Sequence, residues 1–234
     1  MLTRCLQRTR WHVTDNMVEA ATRWIAQAGV QAIRERGRFD LVLAGGKTPR
    51  AIYEKMTGVD ADWPNWHIWF GDERCLPADD EERNSRMACQ AWLDGSAIPA
   101  GQIHVIHAES GAEAAAEDYL RQLQGIGRFD LVLLGLGEDG HTASLFPGLM
   151  SADETADVIA VGQAPKPPTD RVSMSARRLS DTATVLFMVS GKNKRAAVQS
   201  WQNGTAIPAA YICPESGVDV LIAPECLKKS QIQL

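Results

Sequence analysis

Gly37-Arg38-Phe39-Asp40-Leu41-Val42-Leu43 and Gly127-Arg128-Phe129-Asp130-Leu131-Val132-Leu133 are one seven-residue stretch written twice in the same chain. The first copy runs on into Ala44-Gly45-Gly46, the second into Leu134-Gly135-Leu136-Gly137. A short apolar run without alternation, opened and closed by turn residues, predicts a strand buried on both faces. Each strand ends in a glycine bend, and in open α/β sheets ligands bind beyond the carboxyl ends of the strands. The identity stops there, so no solenoid repeat is implied.

Apolar runs alternate with amphipathic stretches on either side. Met17, Val18, Ala21, Ile25, Ala28 and Ile33 recur at helical spacing, predicting a helix over 15–36 with Thr14 or Asp15 as N-cap. Pro49 suits the first turn of a helix over Arg50–Met56. Further strands are expected at Trp66–Phe70 and His104–His107, and helices near Arg83–Leu93 and Ala112–Leu123. In the last third, Val158–Val161, Arg171–Ser175, Thr184–Val189 and Val218–Ile222 read as strands, with a helix near Asn193–Trp201. The prediction is an α/β protein: a three-layer α/β/α, Rossmann-like arrangement with a largely parallel sheet and at most a small extra lobe. Gln163–Pro168 reads as a loop rather than a linker, so residues 1–234 are expected to form one domain.

Among 234 residues, 24 Lys+Arg against 29 Asp+Glu leave a net charge of −5. Such a chain has no general attraction for nucleic acid or anionic lipid, although one basic pocket can still hold a phosphorylated metabolite. No apolar run approaches the roughly 18 residues of a membrane span, and the first residues lack the apolar core of a secretory signal. Cys5, Cys75, Cys89, Cys213 and Cys226 are dispersed, odd in number and without C-x-x-C. The expectation is therefore incidental thiols in a reducing cytoplasm, with neither a disulfide framework nor a zinc site.

Three loops are candidates for chemistry. Ala44-Gly45-Gly46-Lys47-Thr48-Pro49 lets the backbone approach a ligand and points the next helix's free N–H groups at it, as phosphate binding requires. It is no nucleotide P-loop, since Leu41 stands where that motif needs its first glycine. Phe70-Gly71-Asp72-Glu73-Arg74 follows a strand; in an extended segment Asp72 and Arg74 share a face. Gly135–Gly148 contains G-x-G-x-x-G, but Pro147-Gly148 leaves no room for the crossover helix of a dinucleotide site. His141 at the exit of this loop is expected at a helix N-terminus, kept neutral by the dipole, with Asp139 close enough to orient it. The other histidines read as structural. His104 and His107 are placed on opposite faces, and no ligand set adequate for a metal appears.

In order and spacing these three loops, with Asp79-Asp80 and Asn84-Ser85-Arg86-Met87 behind the second, resemble the 6-phosphogluconolactonase family from about residue 10 to residue 225. The resemblance implies hydrolysis of 6-phospho-D-glucono-1,5-lactone to 6-phosphogluconate in the oxidative pentose phosphate pathway. It also implies a fold like that of glucosamine-6-phosphate deaminase, and no cofactor or metal. The expected partners are a small sugar-phosphate lactone, without nucleic acid or membrane, acting on a monomer or small homo-oligomer. His141 would be the general base, oriented by Asp139, with Arg74 on the oxyanion and Asp72 on hydroxyls. Gly45, Gly46, Lys47 and Thr48 would hold the phosphate, with charge from Lys194 and Arg171. Lys47 and Ser85 depart from the family pattern, where serine and an aromatic are common. Two other readings compete. Deaminases of the superfamily carry a glutamate five residues after the motif histidine, where this chain has Phe146. Non-catalytic sugar-phosphate sensors should lack the base.

Overall fold

The computed structural model describes residues 2–150 and 155–228, so the single-domain expectation over 1–234 includes short segments outside the described residues. The first half contains α1 (Leu2–Gln7), β1 (Thr9–Val13), α2 (Met17–Arg36), β2 (Phe39–Leu43), α3 (Lys47–Met56), β3 (Trp66–Phe70), β4 (Asp72–Arg74), α4 (Asn84–Ala91) and β5 (Ile103–His104). The second contains α5 (Ala112–Gln122), β6 (Phe129–Gly135), β7 (Val158–Val161), β8 (Arg171–Met174), α6 (Ala176–Ser180), β9 (Thr182–Val189), α7 (Arg195–Gln202) and β10 (Val218–Ile222). Seven strands form one parallel sheet in the order β1-β10-β9-β6-β2-β3-β5. The small lobe is an antiparallel sheet, β4-β8-β7.

The repeated heptapeptide supplies the two central strands. β2 and β6 are adjacent, with Leu41 opposite Leu131 and Val42 opposite Val132. Phe39, Leu41, Val42, Phe129, Leu131 and Val132 are fully buried, each aliphatic or aromatic side chain stabilising the core by about 1.5–3 kcal/mol. The aspartates of the repeat cluster at the other end of the strands. Asp40 accepts from Arg38 at 2.5 and 2.8 Å and from the Trp69 indole N–H at 3.0 Å. Asp130 accepts from the Asp40 backbone N–H, and Arg36 contacts both carboxylates. Burial nevertheless holds the Asp130 carboxyl above its ordinary pKa.

From β2 the chain moves to β3 and β5 on one side; from β6 it moves to β9 and β10 on the other. The bends after β2 and β6 therefore flank the point where the strand order reverses, the expected position of a ligand crevice.

Several details differ from expectation. The N-cap of α2 is Asn16, whose side chain accepts from the Glu19 N–H, with Thr14 accepting from Asn16. The 72–74 segment is a strand rather than a loop, because β8 offers it a partner from far along the chain. At the expected His104–His107 strand only Ile103–His104 pairs, and His107 starts a 3-10 turn. The cysteine reading is corrected in one respect: Cys5 and Cys213, 208 residues apart in sequence, are disulfide-bonded. Dispersal along the chain says nothing about distance once β1 lies beside β10. Cys75, Cys89 and Cys226 are free thiols. Among the described residues no helix is long and apolar enough to cross a membrane.

Candidate active site

A cavity of about 230 Å³ opens at the switch point, walled by the bends after β2 and β6. From the first bend come Gly45 and Gly46. Gly46 has φ 108° and caps α3 with no side-chain hydrogen bond, so the N–H groups at the start of that helix are left to an incoming group. A Cβ on Gly45 would lie 1.9 Å from Asn84 Oδ1, so only glycine fits over that amide. Lys47, by contrast, is exposed and is no part of the wall, and Thr48 is spent on Ser190, 2.8 Å away.

The turn after β3 contributes Asp72 and Arg74, which share a face of β4 as expected and both line the cavity. Asp72 is nearly buried; one oxygen accepts from Asn84 Nδ2 at 3.1 Å, the other from Ser144 Oγ at 2.6 Å. Between them Glu73 points the opposite way and is completely buried. It accepts from the backbone N–H of Arg74, Asn84 and Ser85 and from the Ser85 hydroxyl, at 2.6–2.8 Å. Ser85, one departure from the family pattern, thus supplies a donor to this carboxylate. Arg74 donates from Nη1 to the Glu82 carbonyl, and its buried Nε has no protein acceptor.

The bend after β6 brings His141 into the cavity, with Asp139 behind it at 2.5 Å from Nδ1. That contact places the ring proton on Nδ1 and leaves Nε2 as the basic nitrogen. Gly137 makes the arrangement possible: a Cβ there would lie 2.0 Å from His141 Nδ1 and 2.6 Å from Asp139 Oδ1. The expected helix after His141 does not form. Residues 141–146 make a tight turn closed by the Leu145 N–H on the Thr142 carbonyl, so no helix dipole acts on the ring. The imidazole still prefers the neutral form, for another reason. Burial pushes its pKa below the ordinary value, more strongly than Asp139 pulls it up, and the charge of Lys166 adds to the lowering. For Asp139, burial is outweighed by the N–H donors and charge of His141, and its pKa falls.

Arg171 and Lys194 complete the wall. β4 and β8 pair so that Arg74 stands opposite Arg171. Burial, then the charge of Arg74, lowers the pKa of Arg171. Lys194 is lowered chiefly by burial, with Glu138 opposing and Lys166 reinforcing. Phe146 packs 4.7 Å from the His141 ring, where an acidic residue would have acted directly on it, and the Arg171 guanidinium lies 5.6 Å from its centroid. Cations thus outnumber anions around a cavity sized for one sugar ring. Among the described residues no group of three His, Cys, Asp or Glu side chains gathers as metal ligands would.

The cavity therefore collects Gly45, Gly46, Asp72, Arg74, His141, Arg171 and Lys194, with Asp139 one bond behind; Lys47 and Thr48 stand outside it. Sequence reasoning missed Ser144, whose burial against Asp72 depends on the turn, and Lys166, hidden in a stretch that read as plain loop.

The sequence model of the family described as glucosamine-6-phosphate isomerases/6-phosphogluconolactonase matches residues 12–221. A probable chloroplastic 6-phosphogluconolactonase 4 of Oryza sativa subsp. indica is 35% identical over 203 residues, 79% of this chain; the chain spans 63% of that relative's length. The 6-phosphogluconolactonase of Mycobacterium leprae is 35% identical over 215 residues, covering 84% of this chain and 87% of that protein. The crystal structure of 6-phosphogluconolactonase from Thermotoga maritima superposes with a TM-score of 0.87 at 28% identity, over 92% of this chain and 99% of that one. With the match running nearly end to end and the glycine bends meeting at the switch point, the chain belongs to the glucosamine-6-phosphate isomerase/6-phosphogluconolactonase family.

Proposed function

We propose that the protein hydrolyses 6-phospho-D-glucono-1,5-lactone to 6-phospho-D-gluconate, in the oxidative pentose phosphate pathway. The observation that carries this reading is the His141–Asp139 pair, with its basic Nε2 in the same cavity as Arg74. A six-membered lactone is an activated ester, so positioning, one base and oxyanion stabilisation suffice without a covalent nucleophile. His141 Nε2 takes a proton from a water attacking C1. Arg74, which lines the cavity, meets the negative charge that develops on the carbonyl oxygen. The tetrahedral intermediate collapses by breaking the C1–ring oxygen bond, and the imidazolium returns its proton to that oxygen. Asp72, fixed by Asn84 and Ser144, accepts from sugar hydroxyls. The phosphate lies at the start of α3, on the Gly46–Thr48 backbone, with charge from Lys194 and Arg171. A monomer or small homo-oligomer with one site per chain belongs to the same proposal. A cytoplasmic setting is proposed with it, since a phosphorylated substrate does not cross a bilayer unaided.

Phe146 argues against amino-sugar deamination, because an apolar ring cannot tune the histidine's proton. The test is acid release from freshly generated 6-phosphogluconolactone above the spontaneous rate, with glucosamine 6-phosphate assayed alongside. Fast lactone loss without ammonia is the expected result. Ammonia release would establish the deaminase, and saturable sugar-phosphate binding without either reaction would establish a sensor.

A further inference from the structure

We propose that Lys166 is a specificity-determining residue of this site, a further cation for the substrate's phosphate, held over the cavity by Arg171. The proposal rests on the lactonase reading above and deepens it. Lys166 sits in the loop between β7 and β8, which folds back on itself through the Ala164 N–H to the Thr169 carbonyl. Arg171 ties that loop down from inside. Its Nε donates to the Pro168 carbonyl at 3.0 Å, and its Nη2 reaches the carbonyls of Lys166 and Pro167 at 3.2 and 3.3 Å. A guanidinium so engaged has only Nη1 outside these bonds to offer to the cavity. Arg171 therefore acts both as a cation of the cavity wall and as a positioning residue for the lysine.

Lys166 lies at the edge of the site by one contact, and two electrostatic effects agree with it. Its carbonyl is bonded to a residue of the cavity wall. Its charge is felt by His141 on the bend after β6, and by Lys194 on the bend after β9. These two residues line the same cavity. Unlike Lys194, whose charge is partly answered by Glu138, Lys166 is exposed and makes no ion pair among the described residues. A flexible ammonium at the rim suits a dianionic group carried on a primary carbon, and gives nothing to an unphosphorylated ring.

The test compares kcat/KM for 6-phosphogluconolactone and for glucono-1,5-lactone in Lys166→Ala, Lys166→Arg and Arg171→Lys. In Lys166→Ala the preference for the phosphorylated lactone should fall about tenfold through KM, and Lys166→Arg should restore most of it. Arg171→Lys cannot span three carbonyls and should reproduce the KM defect, with the Arg171→Lys/Lys166→Ala double variant little worse than either alone. Calorimetric binding of 6-phosphogluconate against gluconate reads the same preference without turnover, so failure of the lactonase reading and failure of this one are distinguishable. An unchanged preference in Lys166→Ala, in kinetics and in binding alike, overturns the proposal. So does an equal loss on both lactones, which would give Lys166 a structural role.

Discussion

The His141 imidazole favours its neutral form because of what surrounds it, and the consequences can be measured. His141→Ala should lower kcat by about two to four orders of magnitude with KM little changed; near-normal turnover of a folded variant would remove the base assignment. The wild-type rate should fall as pH drops through a pKa below the ordinary imidazole value, since burial favours the unprotonated ring. Asp139 opposes that shift. Asp139→Asn should therefore move the acidic limb of the pH–rate profile to still lower pH while reducing kcat, because the ring loses its orienting partner. An acidic limb that moved upward would contradict the pairing. At Gly137 a methyl group has no room between the two side chains, so Gly137→Ala should cost turnover comparably to loss of the base. Retained activity there would mean that the pair separates in solution.

Among the elements, α4 depends most on a distant residue. Its N-cap position, Arg83, makes no side-chain cap bond, and the first N–H groups of the helix are taken instead by the buried Glu73 of β4. A carboxylate at a helix N-terminus is favoured by the dipole as well as by the hydrogen bonds. Arg83, also buried, lies 3.4 Å away and balances the charge. Glu73→Gln keeps the shape but turns a donor toward donors and weakens the balance of a buried cation. The expected loss is about 3–5 kcal/mol in urea unfolding; a loss under about 1 kcal/mol would show the network to be dispensable. Asn16 makes a contrasting case. Its cap on α2 is exposed, and Asn16→Ala should cost only about 1 kcal/mol. The α2 helix is legible because its apolar positions recur at helical spacing, whereas the sequence points to a cap at Thr14 or Asp15, one or two residues before Asn16. Capping depends on backbone angles that neighbouring Thr, Asp and Asn residues serve about equally well.

The whole molecule is stitched at its ends by β1 beside β10 and by the disulfide from Cys5 to Cys213. Cross-linking residues so far apart in sequence restricts the unfolded chain, and Cys5→Ser should lower stability by about 2–4 kcal/mol in unfolding without reductant. Equal stability of variant and wild type under those conditions would mean that the cross-link adds nothing. The same scale separates the information held in the sequence from that held in the fold. Local order settled the central strands, the long helices, the parallel class and the glycine bends, because buried strands and amphipathic helices write their periods into adjacent residues. It also marked His141 and Asp139, on the bend after β6, and Asp72 and Arg74, which follow β3. Tertiary structure alone decided that Asp72–Arg74 becomes a strand against β8, and that Cys5 meets Cys213. It alone decided that burial rather than a helix dipole keeps His141 neutral, and that Arg171 ties down the loop carrying Lys166. Each of these depends on groups brought together from distant parts of the chain, and contacts of that kind leave no period in the sequence.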